Sequence, residues 1–491
     1  MKTWMRDRIN PGEITKYLSG DVDFIPDSEI EEKIRRMKNP DPAYVRDILA
    51  KACSIETLSP DETAALLNVE DPDILEEMKE AAYRVKHKVY DNRIVTFAPL
   101  YMGNLCVNNC LYCAFGADNK KTVRRVLTLD EIKAETRVLA GEIGHKRLIV
   151  VYGEHPSMDT DYITASIRAV YGVKVPTKRG HGQIRRVNVN AAPLSIAGLK
   201  ELRDAGIGTY QVFQETYHRR TYGKVHPAGT IKADYRWRLY CMHRAFEAGV
   251  DDVGIGALFG LYDWKFEVMG LLYHARELEE KFGIGPHTVS FPRLEPAANT
   301  PFTQNENHKV SDSDFKKLVT VLRLAIPYTG MILTARESAG MRREVLPVGC
   351  TQTDASTRIG IGAYSDKHSA QEGRRQQFIL GDTRGLDEII RELAHAGYIT
   401  SFCTAGYRCG RTGKHIMGML RSGKEGEFCK LNAVLTFREW LDDFASPETF
   451  CIGEELIEKE ISQIKKKLPG MYPELIKNYE KTKNGKRDLY F

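Results

Sequence analysis

Arg93-Ile-Val-Thr-Phe-Ala-Pro-Leu-Tyr-Met-Gly-Asn-Leu-Cys106-Val-Asn-Asn-Cys110-Leu-Tyr-Cys113 decides how the rest of this chain reads. Ile94 to Leu100 is a short apolar run with β-branched and aromatic residues, the composition of a buried strand. Cys106, Cys110 and Cys113 follow directly, in a segment that glycine and asparagines mark as a loop. The uncharged stretch continues to Ala117, but Pro99, Gly103, Asn104, Asn108 and Asn109 interrupt it, which is wrong for a bilayer span. A strand that opens into a group of thiols puts chemistry at its C-terminal end.

Similar runs recur downstream at Arg147 to Tyr152, Arg185 to Asn190, Gly208 to Gln214, Asp252 to Leu258, His287 to Phe291 and Gly330 to Thr334, with an eighth expected at Ile359 to Tyr364. Helix-like segments separate them. Leu129, Ile132, Leu139 and Ile143 share one helical face after the first strand, behind Thr128 as N-cap with Asp130 and Glu131 in the first turn. Strand then helix, repeated, means parallel β/α units, and eight of them suit an α/β fold of the TIM type, a (β/α)8 barrel with its active site at the strand C-terminal ends. Periodicity alone also admits a doubly wound open sheet.

Residues 1–90 read as a helical extension, with Ser-Pro-Asp and Asp-Pro-Asp starts at Ser59 and Asp71; residues 91–380 are the barrel and 381–491 a mainly helical C-terminal domain and tail. With 42% hydrophobic and 28% charged side chains, the 491 residues can build a large core under a solvated surface. Seventy-one basic against 66 acidic residues leave a formal charge of +5, too little for a field that would draw nucleic acid or membrane. The N-terminus has no apolar signal region, so a cytoplasmic protein is expected.

Ten cysteines are unevenly placed: the first group, a looser one at Cys403, Cys409 and Cys429, and four that stand alone. In a reducing compartment, clustered cysteines suit metal better than disulfides. Structural zinc and ordinary electron-transfer clusters take four protein ligands, whereas a cubane held by three thiolates leaves one iron open. A zinc knuckle borrowing a remote ligand is the alternative. Cys106-x3-Cys110-x2-Cys113 has the spacing of the radical S-adenosylmethionine (SAM) signature. That resemblance implies an open iron that chelates SAM and a reduced cluster that cleaves it to a 5'-deoxyadenosyl radical, with Tyr112 against adenine. Tyr152-Gly153-Glu154 resembles the family's Gly-Gly-Glu segment at the SAM amino group, with Glu154 as acidic partner. Gly254 and Gly256 resemble its Gly-x-Ile-x-Gly segment, where glycine permits close approach to the nucleoside. Asn188 and Asn190 point the same way along their strand, toward SAM or toward core neighbours.

Phe97-Ala-Pro-Leu-Tyr101, His145-Lys-Arg-Leu, Arg185-Arg-Val-Asn-Val-Asn190, Gln214-Glu215-Thr-Tyr-His218, His226-Pro, Asp251-Asp-Val-Gly254, Pro286-His-Thr288, Pro327 to Leu333 and Gly410-Arg-Thr-Gly413 together resemble the FeFe-hydrogenase maturase family HydG, from about residue 20 to about residue 445. The thiamine-pathway tyrosine lyase ThiH and biotin synthase are more distant kin. The resemblance implies cleavage of the Cα–Cβ bond of L-tyrosine to p-cresol and dehydroglycine, then CO and cyanide loaded on iron at a second, C-terminal 4Fe-4S cluster. It also implies a flavodoxin or ferredoxin as electron donor and HydE and HydF as partners. Arg336 is the candidate for the tyrosine carboxylate, unless it pairs with Glu337, and Glu215 is a second catalytic candidate. His287 resembles the ligand of a labile iron at the second cluster, where imidazole suits iron.

The second cysteine group departs from the family pattern. Glycine stands at Gly406, where the second cysteine is expected, and Cys409 comes three positions later; Cys429 matches the third. Either the ligand has moved along the loop, or the second site is altered. Gln352-Thr-Asp354-Ala-Ser356 is a further departure near the substrate. Two other functions stay open: a ThiH-type 2-iminoacetate synthase, and a non-catalytic iron–sulfur carrier.

Overall fold

A computed structural model describes residues 2–304, 308–366, 371–422 and 425–491. Eight parallel strands close a barrel: β1 (Arg93–Gly103), β2 (Arg147–Tyr152), β3 (Arg186–Asn190), β4 (Tyr210–Gln211), β5 (Val253–Gly256), β6 (Thr288–Ser290), β7 (Gly330–Leu333) and β8 (Gln352–Asp354). Val95 to Phe97 of β1 pair with Gln352 to Asp354 of β8, which completes the ring and removes the open-sheet alternative.

The eighth strand is not at Ile359 to Tyr364, which lies in turns. It is Gln352–Asp354, three polar residues that are all buried and therefore carry no apolar signal. Their side chains are bonded inside: Thr353 Oγ1 donates to the Leu333 carbonyl at 3.0 Å and Thr357 Oγ1 donates to Asp354 at 2.8 Å.

A ninth strand, β9 (Ile399–Ser401), comes from the C-terminal region and runs parallel to Arg93 to Val95. Val95 pairs with both Gln352 and Ser401, so β9 takes the edge of β1 opposite β8. That is the edge β2 occupies from Ala98 onward. Thus β9 fills the place beside the first half of β1 and delivers Phe402 and Cys403 to the N-terminal mouth of the barrel.

Among the described residues six helices precede β1, and Ser59 and Asp71 cap two of them as their sequences imply, Ser59 in a reciprocal box with Glu62. Thr128 likewise forms a capping box with Glu131 at the helix after β1. The C-terminal helix Glu425–Phe444 shuts the N-terminal mouth. Buried Glu439 pairs with Lys146 at 3.2 Å and Arg185 at 2.8 Å, just before β2 and β3. Gly144, at φ 90°, meets the Phe444 ring so closely that a Cβ would stand 2.5 Å from it. The main apolar core runs from the N-terminal helices through the barrel to this helix, with a small separate cluster of Tyr112, Val225, Leu258, Leu261 and Leu294, and among the described residues no helix is long and apolar enough to cross a membrane.

Candidate active site

Two cavities lie at opposite mouths of the barrel. The larger, about 220 Å³, sits at the strand C-terminal ends and is lined by Cys106, Cys110 and Cys113 together with Tyr112, Gly153, Glu154 and Arg336. Backbone bonds fix the cysteine loop: Val107 N donates to the Glu154 carbonyl at 2.8 Å and Leu111 N to the Val225 carbonyl at 3.1 Å. Burial pushes all three thiols up, so each keeps its proton until a metal displaces it.

Glu154 is buried at the end of β2, where Asn108 Nδ2 donates to its Oε2 at 2.6 Å. Its Oε1 is buried without a hydrogen bond among the described residues and lies 3.8 Å from Arg8 Nε. At Gly153 a Cβ would stand 2.2 Å from the Leu105 carbonyl oxygen, so only glycine lets the cysteine loop pass. Tyr112 is held by its hydroxyl, 2.7 Å from His226 Nε2. His226 Nδ1 lies 3.0 Å from the Tyr222 carbonyl, which can only accept; Nδ1 therefore carries the proton and Nε2 accepts from Tyr112. Burial lowers the His226 pKa far enough to keep the imidazole neutral.

On the opposite wall the Arg336 guanidinium lies 3.3 Å from the centroid of the Phe378 ring, and burial lowers its pKa. The expected alternative, a bridge to Glu337, is not formed: Glu337 accepts from Arg293 Nε at 2.9 Å. Glu215, at φ 72°, faces Lys232 Nζ at 2.7 Å and Arg238 Nη2 at 3.5 Å. Burial opposes its charge, but these two cations outweigh it and hold the carboxyl below the usual range.

The second cavity, about 40 Å³, lies at the N-terminal mouth and is lined by Cys403, Gly406, Cys429, His287, Tyr407 and Arg411, among others. Cys403 sits at φ 46°, and Arg147 Nη1 lies 3.5 Å from its carbonyl while Nη2 lies 3.4 Å from Gln352 Oε1. Among the described residues, His287 Nδ1 and the Tyr407 hydroxyl are buried without hydrogen-bond partners. The Arg186 guanidinium lies 3.1 Å from the centroid of the Tyr407 ring.

Comparison with known proteins is consistent with this arrangement. The chain matches the radical SAM superfamily model over residues 100–269 and the model of the biotin and thiamin synthesis associated domain over residues 290–399. The 2-iminoacetate synthase of Salmonella typhimurium is 31% identical over 71% of this chain and 87% of its own. A crystal structure of HydG, a maturase of the FeFe-hydrogenase, is 45% identical with a TM-score of 0.90, covering 96% of this chain and all (100%) of that one. This chain belongs to the HydG family of radical SAM enzymes. HydG from Carboxydothermus hydrogenoformans, at 36% identity and a TM-score of 0.76, also covers 96% of this chain and 99% of that one.

Membership in the HydG family implies a 4Fe-4S cluster and SAM, and the first cavity fits both. It gathers three thiols, an acidic oxygen lacking a hydrogen bond and a glycine-lined passage. The structure does not bring every expected residue to the two cavities. Asn190 lines the cavity, but Asn188, two residues earlier on β3, does not, and its Oδ1 accepts from Thr209 N at 3.0 Å. Gly254 and Gly256 do not face the cavity; a Cβ at the first would stand 2.8 Å from Gln211 Cγ and at the second 2.6 Å from Phe213 Cδ1. These glycines make room for the neighbouring side chains of Gln211 and Phe213, which line the cavity in their place. Cys409 is exposed outside the second cavity, its sulfur 3.4 Å from the Phe491 carbonyl. Lys232, Arg238 and Gln377 line the first cavity without any motif to announce them.

Proposed function

We propose that this chain is a HydG-type tyrosine lyase: it cleaves the Cα–Cβ bond of L-tyrosine to p-cresol and dehydroglycine, and converts the latter to CO and cyanide that are loaded on iron for hydrogenase assembly. The observation that carries this reading is the pair of cavities at the two mouths of one closed barrel, each lined by cysteines. Cys106, Cys110 and Cys113 would hold the first cluster. When bound, that cluster supplies one electron to the sulfonium of SAM, which yields methionine and a 5'-deoxyadenosyl radical.

The chain's own residues prepare the site for that event. Glu154, through the oxygen left without a hydrogen bond, accepts the SAM ammonium; Tyr112, anchored on His226, walls the adenine; Asn190 offers an amide nearby. Arg336 takes the tyrosine carboxylate in a charged, directional contact away from bulk water. Glu215 stays ionised and holds Lys232 and Arg238 in place. In the second cavity Cys403, Cys429 and His287 receive iron. An electron donor of the flavodoxin or ferredoxin class and the maturases HydE and HydF would be its partners.

Gly406 and the outward Cys409 favour one second reading, a lyase of the 2-iminoacetate synthase kind whose later step is changed. An anaerobic assay with reconstituted clusters, dithionite, SAM and L-tyrosine decides between them. p-Cresol with CO and cyanide supports the maturase; p-cresol alone supports the second reading; 5'-deoxyadenosine without p-cresol overturns tyrosine as substrate.

A further inference from the structure

Gln377 reaches the first cysteine group from the far end of the barrel sequence. Its Nε2 lies 3.4 Å from Cys113 Sγ, within hydrogen-bond range for sulfur, and its Oε1 accepts from the Tyr101 hydroxyl at 3.0 Å. The backbone holds it there too, since Ala114 N donates to the Gln377 carbonyl at 3.4 Å. Tyr101 stands near the end of β1, buried, and lines the same cavity. Once Cys113 is a metal-bound thiolate, its sulfur can only accept, so the amide NH2 faces sulfur and the carbonyl faces the tyrosine. The two contacts fix the carboxamide in one orientation.

We propose that Gln377 is a positioning residue that tunes the first cluster, donating a hydrogen bond to the Cys113 sulfur under the control of Tyr101 and raising the cluster's reduction potential. The proposal rests on Cys106, Cys110 and Cys113 being cluster ligands. Reduction adds one electron, and part of the added negative charge resides on the thiolate sulfurs. A donor aimed at sulfur stabilises that charge more than the oxidised form. Asn108 divides its amide between Glu154, at 2.6 Å, and Cys106 Sγ, at 3.8 Å, so the 3.4 Å contact from Gln377 is the shorter side-chain donor to a cysteine sulfur of this group. The next residue, Phe378, covers Arg336, so the same short segment touches the cluster side and the substrate side of the cavity.

The test is a potentiometric titration of the reconstituted full-length protein, followed by electron paramagnetic resonance. A Cys403→Ser, Cys429→Ser background lets the first cluster alone give the signal. Gln377→Leu is expected to keep its iron and to shift the midpoint to more negative potential. The reduced-to-oxidised ratio at a fixed potential should fall about tenfold, which for one electron is about 59 mV. Tyr101→Phe, which frees the amide but keeps it, should shift the midpoint in the same direction by less. A wild-type midpoint in Gln377→Leu with full iron content overturns the proposal. Should Gln377→Leu fail to load iron, an unshifted Tyr101→Phe overturns it equally. Iron content that survives Cys113→Ser overturns the cluster assignment and this proposal with it, whereas iron lost there beside an unmoved Gln377→Leu midpoint overturns this proposal alone.

Discussion

The Cys409 sulfur lies 3.4 Å from the Phe491 carbonyl, on the outside of a single 3-10 turn whose first residue, Gly406, lines the second cavity. To ligate iron, Cys409 would have to leave this contact and rotate inward past Tyr407 and Arg408. Cys409→Ser is therefore expected to keep the iron of the second site, while Cys403→Ser and Cys429→Ser lose it. Iron analysis with Mössbauer spectroscopy reads the difference. Loss of that iron in Cys409→Ser would mean that the turn refolds around the metal.

Gly406→Cys is expected to raise iron loading at the second site. A Cβ there meets nothing nearer than the Arg411 carbonyl oxygen at 3.7 Å, so a thiol enters without a clash. It would join Cys403 and Cys429 around one cavity, and a third thiolate suits a four-iron cluster. Unchanged iron content and unchanged CO release would show that two thiolates and His287 already suffice.

Arg336→Ala should weaken tyrosine binding. Hydrogen bonds to a charged group contribute roughly 1.5–3 kcal/mol, which is on the order of a 10- to 100-fold rise in KM for tyrosine. The affinity for SAM should stay unchanged, because Glu154 lies on another strand. Equal losses for both ligands, measured by calorimetry on the cluster-loaded protein, would remove Arg336 as the carboxylate anchor.

Lys86 provides a pH test remote from both cavities. It is fully buried at the end of the helix Pro72–Tyr90, its Nζ donates to the Leu346 carbonyl at 2.7 Å, and burial pulls its pKa down to about 7, with Cys350 opposing. In the unfolded chain the amine titrates near about 10.4. Between these values the unfolded chain binds more protons than the folded one, so stability rises with pH across the window, by up to about 1.4 kcal/mol per unit. Below pH 7 both states are protonated and the dependence ends. Lys86→Met should flatten the rise and stabilise the chain most at the acid end, after a loss of about 1 kcal/mol for the hydrogen bond. Thermal unfolding of the metal-free protein from pH 7 to pH 10 measures it, and an unaltered slope would mean that the amine stays charged when folded.

The repeated strand-and-helix pattern, the thiol spacing after β1 and the Tyr-Gly-Glu after β2 were legible in the chain alone. They are local: a strand's residues need only their neighbours to announce themselves, and three ligands within one loop keep their spacing in any fold. Thr128 and Ser59 were equally readable, because a cap is made with a residue three positions on.

What the tertiary structure decided are the pairings between residues far apart in sequence. Gln352–Asp354 forms a strand because its polar side chains find partners inside the barrel, which composition cannot reveal. Asn188 and Gly254 look like ligand contacts until the adjoining strands supply Thr209 and Gln211 as their neighbours. Gln377 meets Cys113 across 264 residues, and β9 brings Cys403 beneath a barrel that begins at Arg93. Cys409 and Gly406 differ by three positions, yet one faces solvent and the other the cavity. Spacing names the residue types that can bind a metal; the direction in which the closed barrel and its C-terminal helices turn each side chain determines which of them face it.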